Sequence, residues 1–388
     1  MSRHVCCICG TQIGNAIYSS GQGRSLTSLC QIHSSPTLVY ACRQCGHSQS
    51  DPIANIDDYY DSNYDILVES VEEDQIYQVV NGQVIYRTAH QVDTFRKKVL
   101  IAPGMNLLDY GCAKSSTIRR LSADGVIFKA HLFDVSSRYV HFWSDFVDPS
   151  RWAVNTMNPL WISYFDIVTS FFSLEHIPNP AKVLNEIAET IKPGGFFYAI
   201  VPNVFSNTAD FIVVDHCNHF TVTSLATLIA NAGLDLQEID SETHRGAHIV
   251  IARKPIKSRS LKVFFHLGEI ESVYYRLMRI ADFWEGASER VRIYESSLQP
   301  FDEIGVYGAG FYAAFISASL TQPGRVVCYL DQNPHLHGKF FLDRPIVPPA
   351  ALPKNITKLL IGLNPAHARE IITDITELNT HSLDCFYI

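Results

Sequence analysis

The chain has 388 residues, of which 47% are hydrophobic and 18% charged, and its formal net charge is -8. A chain of this length exceeds what one hydrophobic core serves, so two or three domains are expected. The negative charge argues against a nucleic acid partner, because phosphate binding depends on clustered lysine and arginine. We find no signal-like N-terminus and no apolar run of the roughly 18 to 20 residues that cross a membrane, so a cytoplasmic protein without membrane insertion is expected.

The cysteines indicate a metal site near the N-terminus. In a long chain without a secretion signal, ten cysteines point to metal binding or isolated thiols rather than disulfides. Two Cys-x-x-Cys pairs each precede a glycine, and four thiolates complete the tetrahedral shell of a structural zinc ion. The predicted Zn²⁺ ligands are Cys6, Cys9, Cys42 and Cys45. Free thiols or a redox pair are the alternative, and the spare ligand candidates are Cys7, Cys30 and His33.

The rest of the chain alternates strand-like and helix-like segments, which predicts a parallel α/β sheet. The predicted strands are 106–109, 129–134, 165–170, 195–201 and 247–252, after a helical stretch that ends near Lys98. Residues 256–300 have the apolar spacing of one or two amphipathic helices. A second Rossmann-like start follows at 304–310, with a strand over 326–330 and then Asp331. The predicted domains are a zinc module (1–65), a catalytic domain (66–255), a helical linker (256–300) and a C-terminal Rossmann-like domain (301–388).

Two strand ends carry carboxylates suited to a nucleotide-like ligand. Asp109 ends the first strand before a tight turn, in which Gly111 lets the backbone approach a ligand closely. Asp134 ends the next strand, where a carboxylate can accept hydrogen bonds from both hydroxyls of a ribose. Because Ser136 and Ser137 follow it, helix capping is the alternative role for Asp134.

With residues 165–180, 183–195 and 201–203 added, the chain resembles class I S-adenosylmethionine-dependent methyltransferases. The resemblance implies a Rossmann-like α/β core and S-adenosylmethionine as cofactor. It assigns the methionine half to Asp109, Gly111, Cys112 and the rest of the turn, the ribose to Asp134, and the adenine or sulfonium side to Phe171 and Phe172. Tyr60 and Tyr64 would close over the cofactor or simply pack. Ala113 and Ser115 stand where the family often has glycines.

A loop after the fourth strand carries a candidate base. Asp215 and His216 precede a predicted helix at the carboxyl edge of the sheet, where open α/β sheets bind their ligands. A histidine steered by a carboxylate can remove a proton from carbon or oxygen. Capping, packing, or a metal pair formed by His216 and His219 are the alternatives.

Nearly the full chain resembles the C-methyltransferases that act on nucleotide-linked keto-deoxysugars. The C-terminal residues that carry this resemblance are 306–309, 329–334, 337–339, 345–347 and 363–364. It implies that His216 is the base, that Asp215 is its partner, and that His176 lies near the enolate oxygen. Val213 replaces a family tyrosine, and the lysine often found after residues 306–309 is absent.

Other functions compete with this one. O- or N-methylation of another small molecule or glycan needs the same cofactor site, whereas RNA methylation fits the acidic chain poorly. A non-catalytic scaffold would follow if the altered turn had lost the cofactor. The glycines at 308 and 310, with Asp331, also allow a second dinucleotide site, although one Gly-x-Gly is weak support.

Overall fold

The computed structural model describes residues 4–21, 23–55, 59, 70–80, 83–257, 263, 265–378 and 382–388. These residues form two compact units that interleave along the sequence. The first unit comprises residues 1–14, 41–208 and 217–274, and the second comprises 15–40, 209–216 and 275–388. The N-terminal region therefore contributes to both units, and the domain boundaries expected from the sequence remain predictions.

The secondary structure begins with short strands and continues with alternating strands and helices. The early strands are β1 (Tyr18–Ser19), β2 (Ser25–Leu26), β3 (Ile32–His33), β4 (Leu38–Ala41), β5 (Ser48–Ser50), β6 (Ile76–Val80) and β7 (Gln83–Tyr86). Next come α1 (Arg87–Lys98), β8 (Asn106–Tyr110), α2 (Ser116–Ala123), β9 (Lys129–Asp134), α3 (Val140–Trp143), β10 (Trp152–Val154), β11 (Phe165–Phe171), α4 (Pro180–Thr190), β12 (Ile191–Pro202), β13 (Asn218–His219), α5 (Val222–Asn231), β14 (Asp235–Asp240) and β15 (Ala247–Arg253). The last elements are α6 (Leu267–Ser297), β16 (Ile304–Tyr307), α7 (Phe311–Ser319), β17 (Val326–Leu330), β18 (Phe340–Phe341), β19 (Arg344–Val347), β20 (Lys358–Ile361), α8 (Ala368–Thr373) and β21 (Asp384–Tyr387).

The first unit is built on a seven-stranded sheet in the order β10-β9-β8-β11-β12-β15-β14. Pairing is parallel from β10 through β12, and β15 runs antiparallel to both of its neighbours. The central strands are apolar and fully buried, with Leu107, Leu108, Ile167 and Val168 each 0% exposed, as expected for a sheet covered on both faces. The predicted α/β core is therefore confirmed.

The five predicted strands occur as β8, β9, β11, β12 and β15, while two further strands had not been predicted. Those two are the sheet edges β10 and β14. β10 has only three residues, and β14 has no fully buried position, so neither has the apolar run that marks a central strand.

In the part of the predicted linker that the structure describes, the helical residues form one continuous helix, α6, which is one of the two predicted alternatives. Its fully buried positions include Leu277, Trp284 and Val291, which recur every seven residues along one face. Within the second unit, the Trp284 ring packs against Tyr312 at 5.7 Å and Phe315 at 4.6 Å, measured between ring centroids. The first turns of α6 belong to the first unit, and the rest of the helix belongs to the second.

The second unit carries its own sheet, in the order β18-β19-β17-β16-β20-β21. All pairings are parallel except that of β18 with β19. This is the second Rossmann-like fold predicted from residue 301 onward. Among the residues that the structure describes, no helix is long and apolar enough to span a bilayer.

Candidate active site and cysteine cluster

A cavity of about 350 Å³ opens at the carboxyl edge of the first unit's sheet. It lies beyond the ends of β8, β9 and β11, where the strand order reverses and where open α/β sheets bind ligands. Its wall combines the turn after β8, the end of β9, the segment after β11 and the start of α1. Its lining residues are Asp74, Arg87, Thr88, Gln91, Tyr110, Gly111, Cys112, Ala113, Lys114, Ser115, Ser116, Thr117, Phe133, Asp134, Val135, Ser136, Tyr139, Phe171, Phe172, Ser173, His176, Ile177, Pro178 and Val183.

The turn after β8 uses a left-handed backbone at alternate residues. The φ angles are +65° at Gly111, +46° at Ala113 and +56° at Ser115. Non-glycine residues pay a steric cost in this region, which explains why glycines suit the last two positions. Gly111 cannot be replaced without rearrangement, because an added Cβ would lie 2.0 Å from the Ser173 Oγ. The chain therefore keeps the backbone conformation of a glycine-rich turn with only one glycine.

Asp109 holds this turn through a hydrogen bond from Ser115, and its side chain does not line the cavity. The side chain is 2% exposed, and its carboxylate accepts hydrogen bonds from Ser115 Oγ at 2.6 Å and Thr169 Oγ1 at 2.9 Å. Burial raises the pKa of Asp109 to about 7, although the two hydroxyl donors oppose the shift. The Ser115 hydroxyl thus stabilises the strained turn in a way that glycine cannot.

Asp134 lines the cavity at the end of β9 and is 7% exposed. Its two carboxylate oxygens accept backbone N–H bonds from Ala113 at 2.7 Å and Ser136 at 2.9 Å. The bond from Ser136 closes a turn ahead of the 3₁₀ helix Ser137–Tyr139, whose N-cap is Ser136 itself, so Asp134 does not cap this helix. The bond from Ala113 ties the first turn to the second strand. Because a carboxylate has about four acceptor sites, these two bonds leave capacity for ribose hydroxyls. Burial raises the pKa of this carboxyl group.

The other residues predicted to bind the cofactor also line this cavity, where the structure describes them. Phe171 ends β11, Phe172 and His176 follow it, and all three line the cavity, as does Cys112 from the turn. Phe172 adopts φ +52°, and its N–H donates to the Ile200 carbonyl at 2.7 Å. The predicted Tyr64, like Tyr60, lies outside the described residues.

The predicted base belongs to the second unit and has a different carboxylate partner from the one expected. His216 Nδ1 lies 2.5 Å from Asp210 Oδ1, in a pair whose carboxylate is 1% exposed. The carboxylate of Asp215 instead accepts the Ser28 N–H at 2.7 Å and the Ser28 Oγ–H at 2.6 Å. We therefore correct the expected pairing: Asp210 contacts this ring nitrogen, whereas Asp215 anchors the N-terminal loop. The pairing was missed because Asp210 lies six residues away, across a turn of 3₁₀-helix (Thr208–Ile212).

The four cysteines predicted to bind zinc form a cluster in the first unit. Their ligand atoms all lie within 4.8 Å of one another, with the Cys6 and Cys45 sulfurs 3.6 Å apart and the Cys9 and Cys42 sulfurs 3.5 Å apart. Four sulfurs each about 2.3 Å from a tetrahedral centre are separated by about 3.8 Å, so this arrangement matches a zinc-sized ion. The spare candidate Cys7 points elsewhere, with its sulfur 3.4 Å from His47 Nε2 and 3.2 Å from Asn218 Oδ1.

A glycine follows each cysteine pair and turns the backbone around the cluster. The N–H of Gly10 donates to the Cys6 carbonyl at 2.9 Å, and that of Gly46 donates to the Cys42 carbonyl at 3.0 Å. Both glycines have positive φ, +74° and +70°. The second turn is also sterically closed, since a Cβ at Gly46 would lie 2.5 Å from Thr223 Oγ1.

Comparison with known proteins identifies the domain that holds the cavity. Residues 80–239 match a family described as "Methyltransferase domain". C-methyltransferase NovU of Streptomyces niveus is 31% identical over 84 residues, which is 21% of this chain and 20% of that protein. A ubiquinone biosynthesis O-methyltransferase of Burkholderia thailandensis is 27% identical over 161 residues, covering 37% of this chain and 69% of that enzyme. A second such enzyme, from Saccharophagus degradans, is 31% identical over 94 residues, covering 21% and 40%.

Solved structures resemble part of the chain at low sequence identity. A SAM-dependent methyltransferase from Aquifex aeolicus has a TM-score of 0.35 at 18% identity, over 42% of this chain and 89% of that one. The [4+2]-cyclase SpnF has a TM-score of 0.39 at 17% identity, over 47% and 87%. The chain spans only about a fifth of NovU. The family match of residues 80–239 and the strand order of the seven-stranded sheet together show a methyltransferase domain with the Rossmann-like class I fold in the first unit.

Proposed function

We propose that this protein transfers a methyl group from S-adenosylmethionine to a carbon atom of a nucleotide-linked keto-deoxysugar. The observation that carries the cofactor assignment is the convergence of Asp134 and the turn after β8 on one cavity of the methyltransferase domain. The acceptor assignment is supported by the family resemblance and by the partial match to the C-methyltransferase NovU.

The cavity residues fit the cofactor chemically. Asp134 has acceptor capacity for two ribose hydroxyls, and the positive-φ turn at Gly111 brings backbone close to the ligand space. The cavity volume falls within the roughly 300 to 1,000 Å³ of small-molecule sites. When bound, S-adenosylmethionine would supply an electrophilic methyl group on its sulfonium centre.

The histidine–carboxylate pair of the second unit has the chemistry of a general base. With Nδ1–H donating to Asp210, the lone pair of the neutral His216 ring lies on Nε2. We propose that Nε2 takes the proton from the carbon next to the ketone. The enolate carbon then forms the new bond to the methyl group, while the carbon–sulfur bond breaks and its electrons remain on sulfur. The net release is one proton, and His176 is proposed as a donor to the enolate oxygen.

The cysteine cluster is proposed to hold a structural Zn²⁺. Four thiolates leave no open position for a water nucleophile, so the ion would stabilise the fold and take no part in methyl transfer. Leu108 and Val168 of the central sheet share an apolar core with the cluster, so the two parts of the first unit are packed as one body.

Hydrogen exchange at carbon separates this function from its main alternative. The wild-type protein is incubated in D₂O with S-adenosylhomocysteine and a nucleoside diphosphate-linked keto-deoxysugar. Enolate formation predicts deuterium uptake beside the ketone, detected by mass spectrometry, and His216→Ala should lose that uptake. Adding S-adenosylmethionine should then yield a product with a new carbon-bound methyl group in its NMR spectrum.

O-methylation is the second candidate, because several matched relatives are ubiquinone biosynthesis O-methyltransferases. An oxygen acceptor needs no enolate, so it predicts no deuterium uptake on carbon and an oxygen-bound methyl group in the product. Either of these results would reject C-methylation and leave the cofactor assignment intact.

A further inference from the structure

A second cavity, of about 410 Å³, lies within the second unit and shares no lining residue with the cavity of the first unit. Three segments form its wall: β1 with the turn that follows it, the second half of α6, and the carboxyl-terminal half of α7. Its volume falls within the roughly 300 to 1,000 Å³ of small-molecule sites. The proposed methyl transfer uses none of these residues, so the cavity is open to another role.

Two buried hydroxyl groups face this cavity without a protein partner. Tyr18 of β1 is 4% exposed, and Ser319, the last residue of α7, is 3% exposed. Neither hydroxyl forms a hydrogen bond with any residue that the structure describes. Unlike the enclosed hydroxyl of Tyr198, both keep contact with the cavity space. Because a desolvated hydroxyl without a partner costs free energy, this pattern indicates a site that a ligand or water completes.

The Tyr18 side chain is held in place by its surroundings. Its backbone pairs with Val39 of β4, and its ring packs edge-on against Phe211 at 5.9 Å between centroids. Burial raises the pKa of Tyr18, and the nearby Glu285 carboxylate adds to the effect. The Tyr18 hydroxyl is therefore a fixed, protonated donor at physiological pH.

The charged side chains of the wall balance one another. Two arginines and two glutamates line the cavity, namely Arg24, Arg292, Glu285 and Glu289. Arg292 donates to the Glu289 carboxylate at 2.7 Å and to the Ser288 hydroxyl at 3.2 Å. Arg24 and Glu285 form no ion pair within the described part of the chain. The wall therefore offers a charged donor and a charged acceptor, but no net charge that would select an ion.

Hydroxyl groups and aromatic rings make up much of the remaining wall. A hydroxyl can both donate and accept, so a wall with many of them matches a ligand that has many hydroxyls of its own. The rings of Trp284 and Phe315, with centroids 4.6 Å apart, line the same cavity and supply an apolar surface for the C–H groups of a sugar ring. The hydroxyl side chains of the wall are Tyr18, Ser19, Ser20, Ser288 and Ser319.

We infer that this cavity is a second ligand site, which binds a saccharide through the hydroxyls of Tyr18 and Ser319. Arg24 and Glu285 would serve as donor and acceptor for further sugar hydroxyls. The inference goes beyond the proposed methyl transfer and does not depend on it, because none of these residues takes part in that reaction. Water alone and a small ion are the competing occupants, and the experiment separates them from a saccharide.

The test measures binding of D-glucose, D-galactose, D-mannose and maltose to the intact protein by saturation-transfer NMR and calorimetry. We expect at least one saccharide to bind, and we expect neither glycine, a zwitterion, nor inorganic phosphate, an anion, to displace it. Tyr18→Phe and Ser319→Ala should each weaken saccharide binding about three- to tenfold, the effect of one lost hydrogen bond. Neither variant should lower the melting temperature without ligand, since neither hydroxyl bonds to a described residue.

Ser317→Ala and Tyr329→Phe are the matched controls. They remove the same groups from the same unit, but these two hydroxyls bond to each other at 2.7 Å and lie outside the cavity wall. We expect the controls to lower the melting temperature and to leave saccharide binding unchanged, which is the reverse of the pattern expected for the cavity variants.

Four outcomes would overturn the inference. Unchanged binding in Tyr18→Phe and Ser319→Ala would place the saccharide elsewhere on the protein. Displacement by glycine or phosphate would assign the cavity to an ion, and the absence of any saccharide binding would leave the two hydroxyls to water. A loss of stability in the cavity variants as large as that in the controls would give their hydroxyls a structural role.

Discussion

The hydroxyl of Ser115 donates a 2.6 Å hydrogen bond to the buried carboxylate of Asp109. This bond links the end of β8 to the start of α2 and spans a turn in which Ala113 and Ser115 adopt left-handed backbone conformations. A glycine at position 115 would relieve backbone strain but would remove the bond. The turn therefore adopts left-handed backbone at three alternate positions with one glycine, and it lines the cavity of the first unit.

The two strained positions should respond differently to glycine. Ala113→Gly relieves strain without losing a side-chain bond, so we expect the free energy of unfolding to be unchanged or to rise by up to about 1 kcal/mol. Ser115→Ala keeps the strain and removes a donor from buried Asp109, so we expect a loss of about 1 to 3 kcal/mol. Urea unfolding measures both variants. A Ser115→Ala protein as stable as the wild type would show that this bond does not hold the turn.

Gly111 should be the least replaceable residue of the turn. Gly111→Ala places a Cβ against Ser173 as well as at positive φ, so we expect a loss of about 2 to 4 kcal/mol and weaker cofactor binding. The control is Gly104→Ala, which also has positive φ but has no atom within 4 Å of the added Cβ. Adding Ser173→Gly should recover part of the loss in unfolding experiments. Equal effects at positions 104 and 111 would mean that backbone strain alone matters.

Replacing one cysteine of the cluster should remove the metal. Wild-type protein should contain one zinc ion per chain by mass spectrometric metal analysis, and Cys42→Ser should contain almost none and unfold at lower temperature, because structural zinc contributes directly to folding. Cys7→Ala should retain zinc, since its sulfur contacts His47 and Asn218 outside the four-sulfur group. Metal-free wild-type protein of full stability would contradict the zinc assignment.

The buried carboxyl group of Asp109 should make stability depend on pH. Its pKa of about 7 exceeds the value of about 3.9 in an unfolded chain, so between these values the native state holds a proton that the unfolded state has released. The contribution of Asp109 to stability should therefore fall as the pH rises through this window, by at most about 1.4 kcal/mol per pH unit.

Asp109→Asn isolates this contribution. Its amide resembles the protonated acid, and the hydroxyls of Ser115 and Thr169 can reorient to accept from it. The difference in unfolding free energy between variant and wild type should grow in the variant's favour as the pH rises toward neutrality. A difference that is constant with pH would show that Asp109 titrates normally.

The site residues that lie at the carboxyl ends of the parallel strands were predictable from the sequence. Parallel strands bring their carboxyl ends to one edge, so Gly111, Asp134 and Phe171 were expected to meet, and all three line the cavity. The cluster of four cysteines was also predictable from the sequence. The Cys-x-x-Cys spacing of each pair and the glycine after it are typical of a backbone turn around a metal ion.

The remaining parts depend on packing and local turn geometry. Arg87 reaches the cavity only because α1 packs beside α2, and Asp210 reaches His216 only through a tight 3₁₀ turn. Neither contact leaves a periodic pattern or a motif in the sequence. The adjacent Asp215 was the natural expectation, but its backbone position directs the carboxylate to Ser28.

The most direct test of the account is calorimetric titration of the intact protein with S-adenosylhomocysteine, alongside Asp134→Asn and Asp148→Asn. Asp148 is an exposed aspartate outside the cavity wall that accepts the N–H of the residue two positions on, Ser150, just as Asp134 accepts the Ser136 N–H, so it controls for loss of that local bond. We predict one micromolar site in the wild type, binding about tenfold or more weaker in Asp134→Asn, and no change in Asp148→Asn. A folded wild-type protein that binds no S-adenosylhomocysteine would contradict the cofactor assignment and favour a non-catalytic role.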